Sequence, residues 1–281
     1  MRITAKARVA GVMGWPVAHS LSPRLYNYWL ERYGIDGAFI PLPVSPDHFA
    51  QTLRVLSQAG FVGVNITVPH KEAALEAVDI ADHAARRIGA VNMVTFGGDG
   101  SMRGTNTDGV GFLAHLRAEQ PDFELEAGPA MIVGAGGAAR ALAVALIDAG
   151  VPELCICNRT LSRAEALAVG LAKDVRVINW VDRARALEGV NLLVNTTTQG
   201  MVGEEPLDIN LRALSPGAVV YDIVYNPLET PLMKAASAKG NPVIGGLGML
   251  LHQAAPCFKA WFGIDPEVNP ELAVFVGEGL S

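Results

Sequence analysis

The amino-acid sequence predicts an α/β protein of two domains, each built on a mainly parallel sheet covered by helices. Three observations predict it. Strand and helix signals alternate along the whole chain with short connections, the pattern of parallel strands linked by helical crossovers. A polar stretch bounded by prolines, residues 121–129, separates two such series. The chain also has 281 residues, half of them hydrophobic, which is material for two buried cores rather than one.

Taken in order, residues 9–13 read as a strand. Ser22-Pro23 offers an N-cap followed by proline at the first helical position, and Gly34 stops that helix. Residues 38–44 form a strand in spite of Pro41 and Pro43, which assigns it to a sheet edge. Ser45-Pro46 opens a second helix that Gly60 closes. Residues 63–68 are the next strand, and a helix begins near Lys71. Residues 91–96 and 101–104 flank Gly97-Gly98-Asp99-Gly100, a hairpin turn. A helix over 109–120 leads into the polar stretch. Beyond it lie strands at Ala130–Val133, Leu154–Cys157, Val175–Ile178, 191–194 and 219–224, the spacing of a doubly wound domain. An apolar helix over 249–262 follows Gly245-Gly246-Leu247-Gly248, before a tail carrying Pro266 and Pro270.

Composition excludes several roles. A net charge of −6 argues against a nucleic-acid partner, which calls for a basic stripe. It leaves room for an anionic small molecule, since a few placed arginines overcome a weak global field. No apolar run approaches the ~18–20 residues of a membrane span. Arg2, Lys6 and Arg8 precede an apolar stretch as in an export signal, but Gly11, Gly14 and Pro16 interrupt it. A first strand ending in a turn explains the segment, and the expected location is cytoplasmic. Cys155, Cys157 and Cys257 form neither a disulfide framework nor a zinc set, so no metal is expected. Cys155 and Cys157, two apart in a strand, read as small core residues.

The strand Ala130–Val133 runs directly into Gly134-Ala135-Gly136-Gly137-Ala138-Ala139 and then into a helix capped by Gly150. This is a G-x-G-x-x-A fingerprint in its proper strand–turn–helix setting, and it assigns the second domain to the Rossmann type. Small residues are needed there because the backbone must turn tightly and approach a pyrophosphate, which the helix N-terminus then meets with free N–H groups. The end of the next strand decides the nucleotide. An NAD site usually places an acid there for the ribose 2′-hydroxyl. Here stand Asn158, Arg159 and Thr160, with Arg163 one turn on, and no carboxylate among them. Two guanidiniums and a hydroxyl suit a 2′-phosphate, so the expected cofactor is NADP.

Four polar segments mark the first domain. Ser20-Leu21-Ser22 places two hydroxyls just ahead of a helix. Asn65-Ile66-Thr67-Val68-Pro69-His70-Lys71-Glu72 puts Asn65 and Thr67 on one strand face and Lys71 at the following turn. Asn92 interrupts an apolar strand, and Asn106-Thr107-Asp108-Gly109 sets a carboxylate at a helix start. Singly, Ser22 and Asp108 are ordinary N-caps. Together the segments supply hydroxyls, amides, an ammonium and a carboxylate, a set suited to a small polyhydroxylated acid.

In this order the segments closely resemble the shikimate dehydrogenases. The match extends through His19-Ser20-Leu21-Ser22-Pro23, Gly89-Ala90-Val91-Asn92, Asn158-Arg159-Thr160 and Gly246-Leu247-Gly248-Met249-Leu250, nearly the whole chain. The resemblance implies reversible NADPH-dependent reduction of 3-dehydroshikimate to shikimate, within chorismate and aromatic amino-acid biosynthesis. It implies that Ser20 and Ser22 meet the substrate carboxylate, and that Thr67, Asn92, Asp108 and Gln253 meet its hydroxyls or the reacting oxygen. Lys71 would be catalytic with Asp108, and Tyr225 would meet the substrate from the nucleotide side. The cofactor would touch Gly134, Ala135, Gly136, Gly137, Ala138, Asn158, Arg159, Thr160 and Arg163, with Ile223 and Gly246 near the nicotinamide. It also implies a discontinuous first domain, residues 1–109 completed by 247–281, around a Rossmann-type domain of 110–246, with a cleft between them. A small-molecule substrate and a monomer or homodimer are expected. The sequence departs from the family at His70, where many members carry phenylalanine and which the family gives no role, and at Asn195-Thr196-Thr197-Thr198-Gln199-Gly200.

Two chemistries fit Lys71. Desolvation would let it act as general acid and base, whereas a neighbouring Asp108 would keep it charged, to stabilise a developing alkoxide while Asp108 helps move the proton. Alternatives of substrate and class are a quinate/shikimate dehydrogenase using NAD, the same chemistry on another small hydroxy acid, and a non-catalytic NADP- or metabolite-binding module.

Overall fold

The structure is a computed structural model that describes residues 3–171 and 174–280. Arg2 and Ser281, both part of readings above, lie outside the described residues. The chain divides into two compact units, Met1–Gly111 with Leu250–Val276, and Phe112–Met249 with Gly277–Ser281.

The first unit opens β1 (Arg8–Gly14), α1 (Ser22–Arg32), β2 (Gly37–Pro43), α2 (Phe49–Gln58), β3 (Phe61–Ile66) and α3 (Lys71–Ala77). It continues with β4 (Ile80–Ala81), α4 (His83–Ile88), β5 (Met93–Phe96), β6 (Met102–Thr105) and α5 (Asp108–Glu119), within which the chain passes to the second unit. Strand order is β2-β1-β3-β5-β6-β4. The proline-bearing β2 lies at the edge, as expected of a strand lacking ladder donors. β1 pairs parallel with β2 and β3, but β5 runs antiparallel to both β3 and β6. The tight turn at residues 97–100 imposes the β5–β6 pairing, because strands joined by so short a connection must run antiparallel. The sheet is therefore parallel on one side and takes a hairpin on the other. Ser22 is not an N-cap: α1 has Leu21 at that position without a side-chain cap, and Ser22 N–H donates to Ser20 Oγ instead.

The second unit contains β7 (Ala130–Val133), α6 (Gly137–Asp148), β8 (Leu154–Cys157), α7 (Leu161–Val169), β9 (Val175–Ile178), β10 (Leu192–Asn195), β11 (Val219–Asp222), α8 (Pro231–Ala238) and β12 (Val243–Ile244). All its pairings are parallel, in the order β12-β11-β10-β7-β8-β9. The order reverses between β10 and β7, and such a switch point opens a crevice at the carboxyl ends of the strands. β7 and β8, inside the sheet, are apolar and buried throughout, as expected of parallel strands covered on both faces. Cys155 and Cys157 sit in that core, and burial pushes both thiols up to about 11, which makes them packing residues.

α9 (Leu247–Phe262) begins in the second unit and continues in the first, followed by α10 (Pro270–Gly277). Its Phe258 and Trp261 join an aromatic core in which Tyr26 stacks on Phe39 at 4.0 Å and Trp29 meets Phe258 edge-on at 5.3 Å. Beside this core α5 and α9 touch backbone to backbone. A Cβ on Gly111 would lie 2.5 Å from the Gln253 Cβ and 2.6 Å from its backbone nitrogen, so only glycine allows the approach.

Candidate active site

β3 ends at Ile66, and the chain turns through Thr67–Pro69 so that Lys71 opens α3. His70 holds this turn. Its Nε2 lies 2.7 Å from the Val44 carbonyl and its ring stacks on Phe49 at 4.5 Å, so it is a buried anchor. Lys71 Nζ donates to Asp108 Oδ2 at 2.5 Å, with side-chain exposures of 18% and 7%. Asp108 lies in the first turn of α5, where a carboxylate is favoured by the helix dipole. It does not cap that helix; both of its oxygens are engaged sideways.

Asn92 takes the other oxygen. It sits between β3 and β6, with its N–H donating to Thr105 O and its carbonyl accepting from Ile66 N–H. Its Nδ2 reaches Asp108 Oδ1 at 2.8 Å, Thr107 Oγ1 at 3.1 Å and Gln253 Oε1 at 3.2 Å, so two amide hydrogens serve three acceptors. Asn92 Oδ1 accepts from Thr107 N–H at 2.8 Å, which fixes the amide's orientation. Lys71, Asn92, Asp108 and Gln253 are thus brought into one cluster. Thr107 belongs to it and is not among the residues the sequence singles out. Its place inside Asn106-Thr107-Asp108-Gly109 is the available signal.

The remaining first-unit residues stand apart in hydrogen-bonding terms. Ser20 and Ser22 bond to each other, and Thr67 follows β3 with its N–H on Met13 O. Asn65 lies in β3, while Thr67 follows the strand's end. Asn65 is buried, and its Nδ2 donates to Asn92 O at 3.3 Å and lies 3.4 Å from Cys257 Sγ. It supports the cluster from beneath.

In the second unit the fingerprint turn has the geometry a pyrophosphate needs. Gly134 has φ +120°, and a Cβ there would meet Thr196 Oγ1 at 2.4 Å, so the turn demands glycine twice over. Gly136 caps α6 without any side-chain bond, and a Cβ on it would meet nothing within 4 Å, which leaves the helix N-terminus open beside Gly137 and Ala138. At the end of β8, Asn158 Nδ2 donates to Thr160 O at 2.8 Å and folds the loop that presents Thr160 and Arg159. Arg159, Thr160 and Arg163 are exposed, and neither guanidinium has an ion pair among the described residues. This donor set fits a phosphorylated dinucleotide. Beyond β11, Gly246 N–H donates to Val224 O, beside Ile223. Tyr225 is half-buried, and burial pushes its phenol up. Asp222, at the end of β11, is fully buried; it is absent from the sequence-based set, although an acid inside an apolar strand is a signal.

The chain matches the family model described as the shikimate dehydrogenase substrate binding domain over residues 12–94, and that described as shikimate / quinate 5-dehydrogenase over residues 116–209. A relative named shikimate dehydrogenase (NADP(+)) from Paramagnetospirillum magneticum is 54% identical over 274 residues, 98% of this chain and 99% of that one. Among solved structures, a shikimate dehydrogenase in complex with NADP+ aligns with TM-score 0.90 at 34% identity, covering 100% of this chain and 98% of the other. The shikimate 5-dehydrogenase of Thermus thermophilus, in complex with NADP(H) and shikimate, aligns with TM-score 0.85 at 37% identity over 96% and 98% of the two chains. With matches in both halves and identity above one half along nearly its full length, the chain belongs to the shikimate dehydrogenase family.

Proposed function

We propose that this chain catalyses the reversible NADPH-dependent reduction of 3-dehydroshikimate to shikimate, a step toward chorismate and the aromatic amino acids, as a cytoplasmic monomer or homodimer. The carrying observation is the Lys71–Asp108 pair, 2.5 Å apart and braced by Asn92. Residues 1–109 with 247–281 form the substrate domain in this reading, and 110–246 the nucleotide domain.

Bound NADPH supplies the hydride from C4 of its nicotinamide. The protein must orient the substrate and move one proton. In reduction, Lys71 Nζ donates a proton to the carbonyl oxygen as its carbon gains the hydride; in oxidation the amine takes that proton back from the hydroxyl. Asp108 Oδ2 aims the amine, while Asn92 on Oδ1 prevents the carboxylate from rotating away. Ser20 and Ser22 hold the substrate carboxylate. Thr67, Asn92, Asp108 and Gln253 hold its hydroxyls, and Tyr225 adds a contact from the nucleotide domain. Gly134, Ala135, Gly136, Gly137 and Ala138 would cradle the pyrophosphate, and Asn158, Arg159, Thr160 and Arg163 would hold the 2′-phosphate. Ile223 and Gly246 would line the place of the nicotinamide.

The test is a rate measurement with shikimate or quinate and either NADP+ or NAD+, followed by absorbance of the reduced nicotinamide. Strong turnover of shikimate with NADP+ alone is expected. Equal use of NAD+, or turnover of quinate, would move the assignment to a quinate/shikimate enzyme and weaken the roles given to Arg159 and Arg163. Binding of NADP+ without turnover of either acid would sink the substrate assignment.

A further inference from the structure

Asp222 carries no role in the chemistry above, yet it is a carboxylate with 0% exposure in a strand that is otherwise Val-Val-Tyr. An apolar residue would pack such a strand without desolvating a charge. Burial pushes this carboxyl up to about 6, against three hydrogen bonds that favour the ionised form. The cost is met by what those bonds connect.

Oδ1 accepts from Asn195 Nδ2 at 2.9 Å and from Val224 N–H at 3.1 Å, and Oδ2 accepts from Thr230 Oγ1 at 2.7 Å. Each partner leads outward. Asn195 Oδ1 accepts from Thr197 N–H at 3.0 Å and Thr197 Oγ1 at 2.7 Å, and its Nδ2 also reaches Gln199 O at 3.2 Å. Thr197 Oγ1 in turn accepts from Gln199 N–H at 3.1 Å. Thr230 caps α8 by accepting from Met233 N–H. One carboxylate therefore ties the loop after β10, the loop after β11 and the start of α8.

Those loops lie at the carboxyl ends of their strands, on the β10–β11 side of the switch point. The fingerprint turn follows β7, and the arginines that suit a 2′-phosphate follow β8, on the opposite side. A dinucleotide whose pyrophosphate rests on the turn and whose adenosine half lies toward β8 must extend its nicotinamide half toward β10 and β11. The β10 loop also abuts the turn, since Thr196 Oγ1 donates to Val133 O at 2.8 Å. We propose that Asp222 is a positioning residue whose carboxylate clamps residues 196–200 and 223–225 in the shape that receives the nicotinamide half of the cofactor, an inference that rests on the dinucleotide reading above.

The test compares binding of NADP+ with binding of 2′,5′-ADP, which keeps the 2′-phosphate and adenosine but lacks the nicotinamide. Calorimetry on the full chain is run for wild type, Asp222→Ala, Asp222→Asn and Thr197→Val. Asp222→Ala is expected to weaken NADP+ about tenfold while 2′,5′-ADP changes less than about twofold. Asp222→Asn should recover most of the loss, because its Oδ1 still accepts from both N–H groups and its amide can donate to Thr230. Thr197→Val leaves β11 intact, so it carries the test should Asp222→Ala fail to fold; it should weaken NADP+ selectively, by a smaller factor. An equal loss for both ligands, or none for either, would overturn the proposal. A wild-type chain that binds neither ligand would instead overturn the dinucleotide reading itself.

Discussion

The polar groups of the two units are organised in opposite ways. In the first, Lys71, Asn92, Thr107, Asp108 and Gln253 are already bonded to one another, and the amide of Asn92 is oversubscribed. In the second, Arg159, Thr160, Arg163 and the open N-terminus of α6 are exposed, and neither arginine pairs with an acid among the described residues. A group that must move a proton gains from being fixed before substrate arrives, because misplacement by a fraction of an ångström costs rate. Groups that meet a phosphate need only charge and reach, and water serves them until the ligand comes. The first set should therefore respond to mutation as one unit, the second as independent contributors.

The largest test of that contrast is Lys71→Ala. Turnover of shikimate should fall about 10²–10⁴-fold with little change in KM. Combining it with Asp108→Asn should cost far less than the product of the two single losses, as measured by steady-state rates. Independent, multiplying losses would break the picture of a single unit.

Asp222 is where the second unit copies the first, a polar group fully engaged inside the protein. Burial raises its folded value from 3.8 to about 6, so between those values the folded state holds a proton that the unfolded chain has released. Its stabilising contribution is full below the unfolded value and is lost as pH rises through the folded one, by at most roughly 3 kcal/mol. Denaturant midpoints from pH 4 to 7 should thus show wild type losing ground against Asp222→Asn, which does not titrate. A constant difference would mean that the three donors keep the group ionised throughout.

Arg159→Ala should weaken NADP+ by about ten- to a hundredfold and leave NAD+ unchanged, the worth of a charge-assisted hydrogen bond. Adding Arg163→Ala should multiply the loss, and titrations at higher salt should shrink it. Sub-multiplicative losses would show the two arginines to be coupled after all. The smallest effect on the chemistry itself is expected at Gly111→Ala, where the new methyl meets Gln253 Cβ at 2.5 Å and its backbone nitrogen at 2.6 Å. About 3 kcal/mol of stability should be lost, read as a lower Tm, with a higher KM for shikimate as Gln253 is displaced. An unchanged Tm would mean that the two helices separate freely and that Gln253 is not held by their contact.

Much of this is legible in the sequence because it is local. Alternating strand and helix signals give the α/β class. Prolines place β2 at an edge, and a run of glycines announces the hairpin whose antiparallel strands the general pattern alone would miss. The strand–turn–helix fingerprint and the basic residues after β8 lie within about thirty residues of one another, the length of a βαβ unit. Their chemistry can be read from spacing alone. The two-residue strands β4 and β12 escape such a reading, since two residues establish no periodicity.

The sequence by itself determined the kinds of groups present, their order, and the local elements that carry them. Partnership was decided only by the tertiary structure. Asp108 divides its oxygens between residues 37 and 16 positions away, and Gln253 reaches Asn92 across 161. Asn65, two positions from Thr67, is drawn beneath the site by Cys257 and the Asn92 carbonyl. The physical reason is that hydrogen-bond partners are chosen by packing. A helix's apolar stripe says that it will be buried, but only the filled core says against which sheet, and a contact such as Gly111 on Gln253 then fixes which side chains meet.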